Sequence, residues 1–119
     1  MKLNHLNLTV THPTEAAKFL EKYFGLRHMR GVPPDNAWMV GMQDDNDMIL
    51  TLMRERDGTE IHYPGSFHVG FIQESEERVN EINQRLREDG YDVPPPSRQH
   101  GSWMFYFRAP GGFTMEVMH

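Results

Sequence analysis

The sequence predicts an α+β fold in which two successive βαβββ modules make up one domain of 119 residues. Two features carry this expectation. Each half opens on a strand-like stretch followed by a helical stretch that ends at a glycine. Landmarks of the first half then recur at a fixed spacing in the second. Trp38-Met39 returns 65 positions later as Trp103-Met104, Gly25 returns as Gly90, and Met53 returns as Met118. His5 and His68 are 63 positions apart, a two-residue slip that keeps both on the same face of their strands. A self-similar spacing of this kind organises a chain before any single motif does.

The elements follow in order. Leu3 to Val10 alternates, with Leu6, Leu8 and Val10 on one side and Leu3, His5, Asn7 and Thr9 on the other, which is the period of a half-buried strand. Pro13 suits the first turn of a helix, with Thr11 or His12 as its cap, and Ala17, Leu20 and Phe24 recur at helical spacing before Gly25. Arg27 to Arg30 begins a second strand, which the Gly31–Asn36 loop breaks. Trp38 to Met42 and Met48 to Met53 read as a hairpin around the polar turn Gln43–Asp47. Module one thus spans about residues 1–55. A polar linker of about 56–65, containing Gly58, Pro64 and Gly65, leads to module two at about 66–119. There Phe67 to Ile72 is a strand, and Ser75 caps a helix carrying Val79, Ile82 and Leu86. Gly90 ends that helix, and Tyr91 to Val93 is expected as a short strand before Pro94-Pro95-Pro96. Trp103 to Arg108 and Phe113 to Met118 close the module around the turn Pro110-Gly111-Gly112.

Composition narrows the function classes. A hydrophobic fraction of 38% with 24% charged residues is globular, and a net charge of −5 gives no footprint for nucleic acid. The absence of cysteine removes disulfides, thiolate nucleophiles and zinc–thiolate clusters together. The first 20 residues lack a secretory pattern, and no apolar run approaches the roughly 20 residues that span a bilayer. A soluble, cytoplasmic protein acting on a small molecule is the expectation. Nine methionines supply adaptable filling for a modest core.

The residues with chemistry to offer are His5, His68 and Glu116. The two histidines take matching places in the two modules. Glu116 interrupts the apolar positions Met115 and Val117 in the final strand, where a carboxylate is costly unless it is paired or holds a cation. A lone strand histidine is ordinarily solvated or packed. Two at the repeat, with one acid, form a donor set for a divalent ion with open positions, favouring Fe2+ or Mn2+ over Ni2+ or Zn2+. His12, His28, His62 and His119 lie at helix starts, strand ends, the linker or the terminus, where solvated histidines are common.

Three segments carry a resemblance: Asn4-His5-Leu6-Asn7-Leu8-Thr9-Val10, Phe67-His68-Val69-Gly70-Phe71, and Phe107-Arg108-Ala109-Pro110-Gly111-Gly112-Phe113-Thr114-Met115-Glu116-Val117. With the paired-module order, they resemble the vicinal-oxygen-chelate superfamily of glyoxalases, bleomycin-resistance proteins and extradiol dioxygenases. The resemblance implies that the modules curl an eight-stranded mixed sheet into a cup. It implies metal ligation by His5, His68 and Glu116, and a homodimer whose modules share sites. Glyoxalase I carries a second glutamate at the place occupied here by Thr51, 65 positions before Glu116, and threonine is no carboxylate base. Dioxygenase-like, lyase or transferase chemistry therefore ranks above isomerisation. Tyr106, ten residues before Glu116, matches a dioxygenase tyrosine that hydrogen-bonds the substrate hydroxyl. The dioxygenase active-site histidine has Ser97 nearest its place, with His100 three residues later as the catalytic candidate. The alternative is a non-catalytic drug-binding protein of the bleomycin-resistance type.

Overall fold

The computed structural model describes residues 1–57 and 59–119; Gly58, assigned above to the linker, lies outside the described residues. The chain runs β1 His5–Val10, α1 Pro13–Phe24, β2 Arg27–His28, β3 Met39–Gln43, β4 Ile49–Arg54, β5 Val69–Ile72, α2 Glu76–Glu88, β6 Ser97–Gln99, β7 Ser102–Arg108 and β8 Thr114–Met118. Among the described residues, the eight strands form two mixed sheets of four, ordered β1-β4-β3-β2 and β5-β8-β7-β6. The chain divides into two compact units, Met1–Tyr63 with Pro110–Gly112, and Pro64–Ala109 with Phe113–His119. The α+β class and the doubled βαβββ order are as the sequence predicts.

In the first unit Leu8 and Val10 of β1 are fully buried, whereas Leu6, expected on the same side, is exposed near the start of the strand. Leu8 and Val10 meet Val40, Met42, Leu50 and Leu52 from the sheet and Ala16, Ala17 and Leu20 from α1, all buried. Pro13 opens α1 without needing an amide donor, and Gly25 closes it in the left-handed region at φ 68°. His12 takes the N-cap place but accepts no side-chain hydrogen bond, so the cap expected from Thr11 or His12 does not form. Asp44 Oδ1 accepts from the backbone N–H groups of Asn46 and Met48 at 2.8 Å each, which tightens the β3–β4 turn. Tyr63 returns to the outer edge of β1, where its hydroxyl accepts from Thr9 N–H at 2.8 Å and donates to Thr9 C=O at 2.9 Å.

In the second unit Val79, Ile82 and Leu86 of α2 are fully buried, as are Met115 and Val117 of β8. Full burial of each such side chain contributes about 1.5–3 kcal/mol. Ser75 accepts from Arg78 N–H at 3.1 Å and so caps α2 as expected. The short strand expected at Tyr91–Val93 is absent, and β6 forms instead at Ser97–Gln99, just past the three prolines. Val93 is buried, and Pro94 C=O accepts from the buried Asn83 amide at 2.8 Å, so this segment anchors to α2 instead of joining the sheet. Proline has no N–H for a ladder, and pairing resumes only after Pro96. A two-residue turn, His100 (φ 50°) and Gly101 (φ 88°), then joins β6 to β7. Among the described residues, no helix is long and apolar enough to cross a membrane.

Candidate metal and substrate site

Three adjacent strands of the second unit bring the candidate residues together. Glu116 on the interior strand β8 stands opposite Gly70 on β5 and opposite Tyr106 on β7. Cross-strand partners share a sheet face, and His68, two residues before Gly70, lies on that face as well. The alternation read from the sequence thus holds: Met115 and Val117 fill the core while Glu116 emerges on the opposite face.

Both carboxylate oxygens of Glu116 are engaged. Oε1 accepts a short hydrogen bond from the Tyr106 hydroxyl. Oε2 lies 3.5 Å from His68 Nε2, with the Glu116 side chain 13% exposed and His68 41% exposed. The His68 and Tyr106 rings meet edge to face with centroids 5.5 Å apart. The hydrogen bond to Glu116 raises the Tyr106 pKa above its ordinary value, with burial adding to the shift, so the phenol stays a proton donor.

Each of the two histidines has a partner at Nδ1. His68 Nδ1 lies 3.1 Å from the Ser66 carbonyl, which can only accept, so Nδ1 carries a proton and Nε2 is the nitrogen that faces Glu116. In the first unit His5 Nδ1 lies 3.2 Å from Asn4 Oδ1, an amide oxygen able to accept from it. A ligating imidazole commonly has its second ring nitrogen held by an acceptor in this way. Among the described residues, no group of three or more His, Asp or Glu side chains comes together closely enough to hold a metal ion. The structure therefore brings together His68, Glu116 and Tyr106.

His100 sits exposed in the β6–β7 turn. Tyr106 lies four strand residues beyond Ser102, about 13 Å along β7 at ~3.3 Å per residue. Arg98, beside it, bonds Glu76 at 2.6 Å and stacks on Trp103, whose indole N–H donates to Asn80 at 2.8 Å. Both tryptophans are held by such surface contacts, Trp38 lying 57% exposed under Arg54.

Sequence reasoning missed Gly70. A Cβ built there would lie 3.0 Å from Glu116 Oε2. Glycine inside a strand pattern marks a close approach, and that was the available signal.

The matching place in the first unit is differently furnished. Thr51 on β4 pairs with Asn7 on β1 and with Gly41 on β3, the same register that Glu116 has with Gly70 and Tyr106. A Cβ at Gly41 would meet Met29, with Sδ at 3.0 Å and Cβ at 3.3 Å, so a thioether covers the sheet where the second unit carries a phenol.

Residues 2–117 match the sequence profile of the Glyoxalase/Bleomycin resistance protein/Dioxygenase superfamily. The chain belongs to this superfamily. Among solved structures, a possible glyoxalase from Bacillus cereus is 51% identical over 100% of this chain and 99% of its own, with a TM-score of 0.88. A lactoylglutathione lyase from Agrobacterium tumefaciens matches at 20% identity and TM-score 0.74, covering 98% of this chain and 92% of its own. The oxidase ChaP-H2 matches at 23% identity and TM-score 0.76, covering 99% and 92%. The last two likenesses concern the fold alone. No curated protein matches the chain.

Proposed function

We propose that this superfamily member is a divalent-metal-dependent enzyme acting on a small molecule that presents two adjacent oxygens. We assign His5, His68 and Glu116 as the metal ligands and Tyr106 as the substrate-facing proton donor. The observation that carries the reading is the His68–Glu116 pair, with the imidazole oriented by Ser66 and the carboxylate by Tyr106. Such supporting hydrogen bonds, which fix ring orientation and donor basicity, accompany metal ligands as a rule.

When bound, an Fe2+ or Mn2+ ion would supply Lewis acidity toward two vicinal substrate oxygens. The protein's own part is positional. Ser66 fixes His68, Tyr106 fixes Glu116, and the Tyr106 Oη proton is available to a substrate oxygen that competes with Glu116 for it. Thr51 offers no second carboxylate, which favours dioxygenase, lyase or transferase chemistry over proton shuttling between neighbouring carbons. Nothing in the geometry supports a catalytic role for His100.

We further propose that the active form is a homodimer in which His5 of one chain completes the His68–Glu116 pair of the other. The test is complementation. Protein purified without added metal should carry stoichiometric divalent metal, and His5→Ala and Glu116→Ala should each lose it. Refolding equal amounts of the two variants together should restore about one site per four chains, one in each mixed dimer, if the site is shared, and none if it lies within one chain. Wild-type protein without measurable divalent affinity would overturn the metal assignment and favour drug binding. Anaerobic Fe(II) loading followed by air, against a catechol panel, separates ring cleavage from thiol-dependent epoxide opening.

A further inference from the structure

We infer that Gly70 is a positioning residue: its missing side chain is the notch that lets the Glu116 carboxylate reach the imidazole of His68. The inference rests on the metal-site reading given above, and extends it to a residue that contacts neither metal nor substrate.

Gly70 and Glu116 are direct partners in the β5–β8 ladder, so their side-chain directions coincide on one face. Any Cβ at position 70 would stand 3.0 Å from Glu116 Oε2, tighter than ordinary van der Waals contact. That oxygen is the one facing His68 Nε2, at 3.5 Å. The carboxylate has little freedom to retreat, because its other oxygen is held by the Tyr106 hydroxyl. A methyl group at position 70 therefore forces a choice. Either the Tyr106 bond breaks, or Oε2 swings away from His68. Backbone strain plays no part, since Gly70 does not occupy the left-handed region.

The contrast with an ordinary structural glycine is what makes this testable. Gly70 is exposed and sits inside a strand, where alanine is the better residue for the backbone. A purely structural reading predicts either no effect of Gly70→Ala or parallel losses of stability and binding. The positioning reading predicts that they separate. The metal-free Gly70→Ala protein should melt at or above the wild-type temperature. Its affinity for Mn2+ alone, read by the electron paramagnetic resonance of the free ion, should fall roughly ten- to hundredfold, the range for residues that orient a ligand. Gly41→Ala is the control. Its Cβ would press on Met29, so it should lower the melting temperature and leave Mn2+ affinity per folded chain unchanged.

Unchanged Mn2+ affinity in Gly70→Ala overturns the inference, and so does a fall in affinity that tracks a fall in melting temperature. If wild-type protein binds no Mn2+, the metal assignment fails separately, and a crystal structure of metal-free Gly70→Ala decides the positioning claim. Glu116 Oε2 displaced from His68, or the Tyr106 bond broken, supports the claim. A carboxylate unmoved from its 3.5 Å contact with its Tyr106 bond intact overturns it.

Discussion

Thr51 and Glu116 occupy the same register on the interior strands of their modules, yet they meet opposite surroundings. Glu116 has a glycine on one side and a hydrogen-bonding phenol on the other, and an imidazole faces one of its oxygens. Thr51 has Asn7 on one side and, on the other, a glycine whose space Met29 covers. The difference teaches that the duplicated frame fixes where a side chain can stand but not what it does there. A carboxylate becomes chemically useful only where its neighbours make room for it and hold it.

The strongest way to break this comparison is to remove each residue in turn. Glu116→Ala should reduce Mn2+ affinity by about a hundredfold or more, beyond the range seen when only a supporting residue is lost. Thr51→Ala should change it less than about twofold, as expected of a residue that neither ligates nor orients a ligand. Equal effects in a titration of the two variants would mean that the modules contribute alike.

The edge of β1 offers the next largest contrast. Tyr63→Phe removes both hydrogen bonds to Thr9 while keeping the ring, and should cost about 1–3 kcal/mol in urea unfolding. A third comparison sets the two helices against each other. Ser75→Ala should cost about 1 kcal/mol through the lost cap, whereas His12→Ala, at the matching place on α1, should cost less than about 0.5 kcal/mol.

The smallest effect is on pH dependence. Burial raises the Tyr63 pKa above 10.0, against the lowering by its hydrogen bonds to Thr9. The folded chain thus holds this proton more tightly than the unfolded one. The stability it contributes is complete below about pH 10 and lost as pH rises through the folded value. Melting temperature should fall more steeply above pH 10 in wild type than in Tyr63→Phe. Parallel curves would assign the alkaline loss to other groups.

Much of this was legible in the sequence because alternation and spacing are local signals. The 65-residue offset that pairs Trp38 with Trp103 also pairs Thr51 with Glu116, and the strand registers reproduce it. The failures have physical causes. Tyr91–Val93 looks like a strand because Val93 is apolar, but its burial is against α2. The β6–β7 turn was missed because His100 adopts φ 50°, a conformation that histidine rarely advertises. At the site, Glu116 was readable from its apolar flanks. The bond from Tyr106 was not, since ten residues of sequence separation become direct opposition only once the hairpin closes. The close approach at Gly70 depends on a side chain 46 residues away, beyond α2, β6 and β7, which no local pattern encodes.

Tyr63 has one more consequence. A strand at the border of a sheet offers its free amides and carbonyls to any extended chain that drifts past, and growth along such a border is how soluble proteins begin to form fibres. Thr9 has already spent its N–H on the phenol, and its carbonyl is occupied by the same oxygen's proton. An added strand therefore finds both of these Thr9 groups taken. The single phenol works as a buffer stop on that stretch of the border.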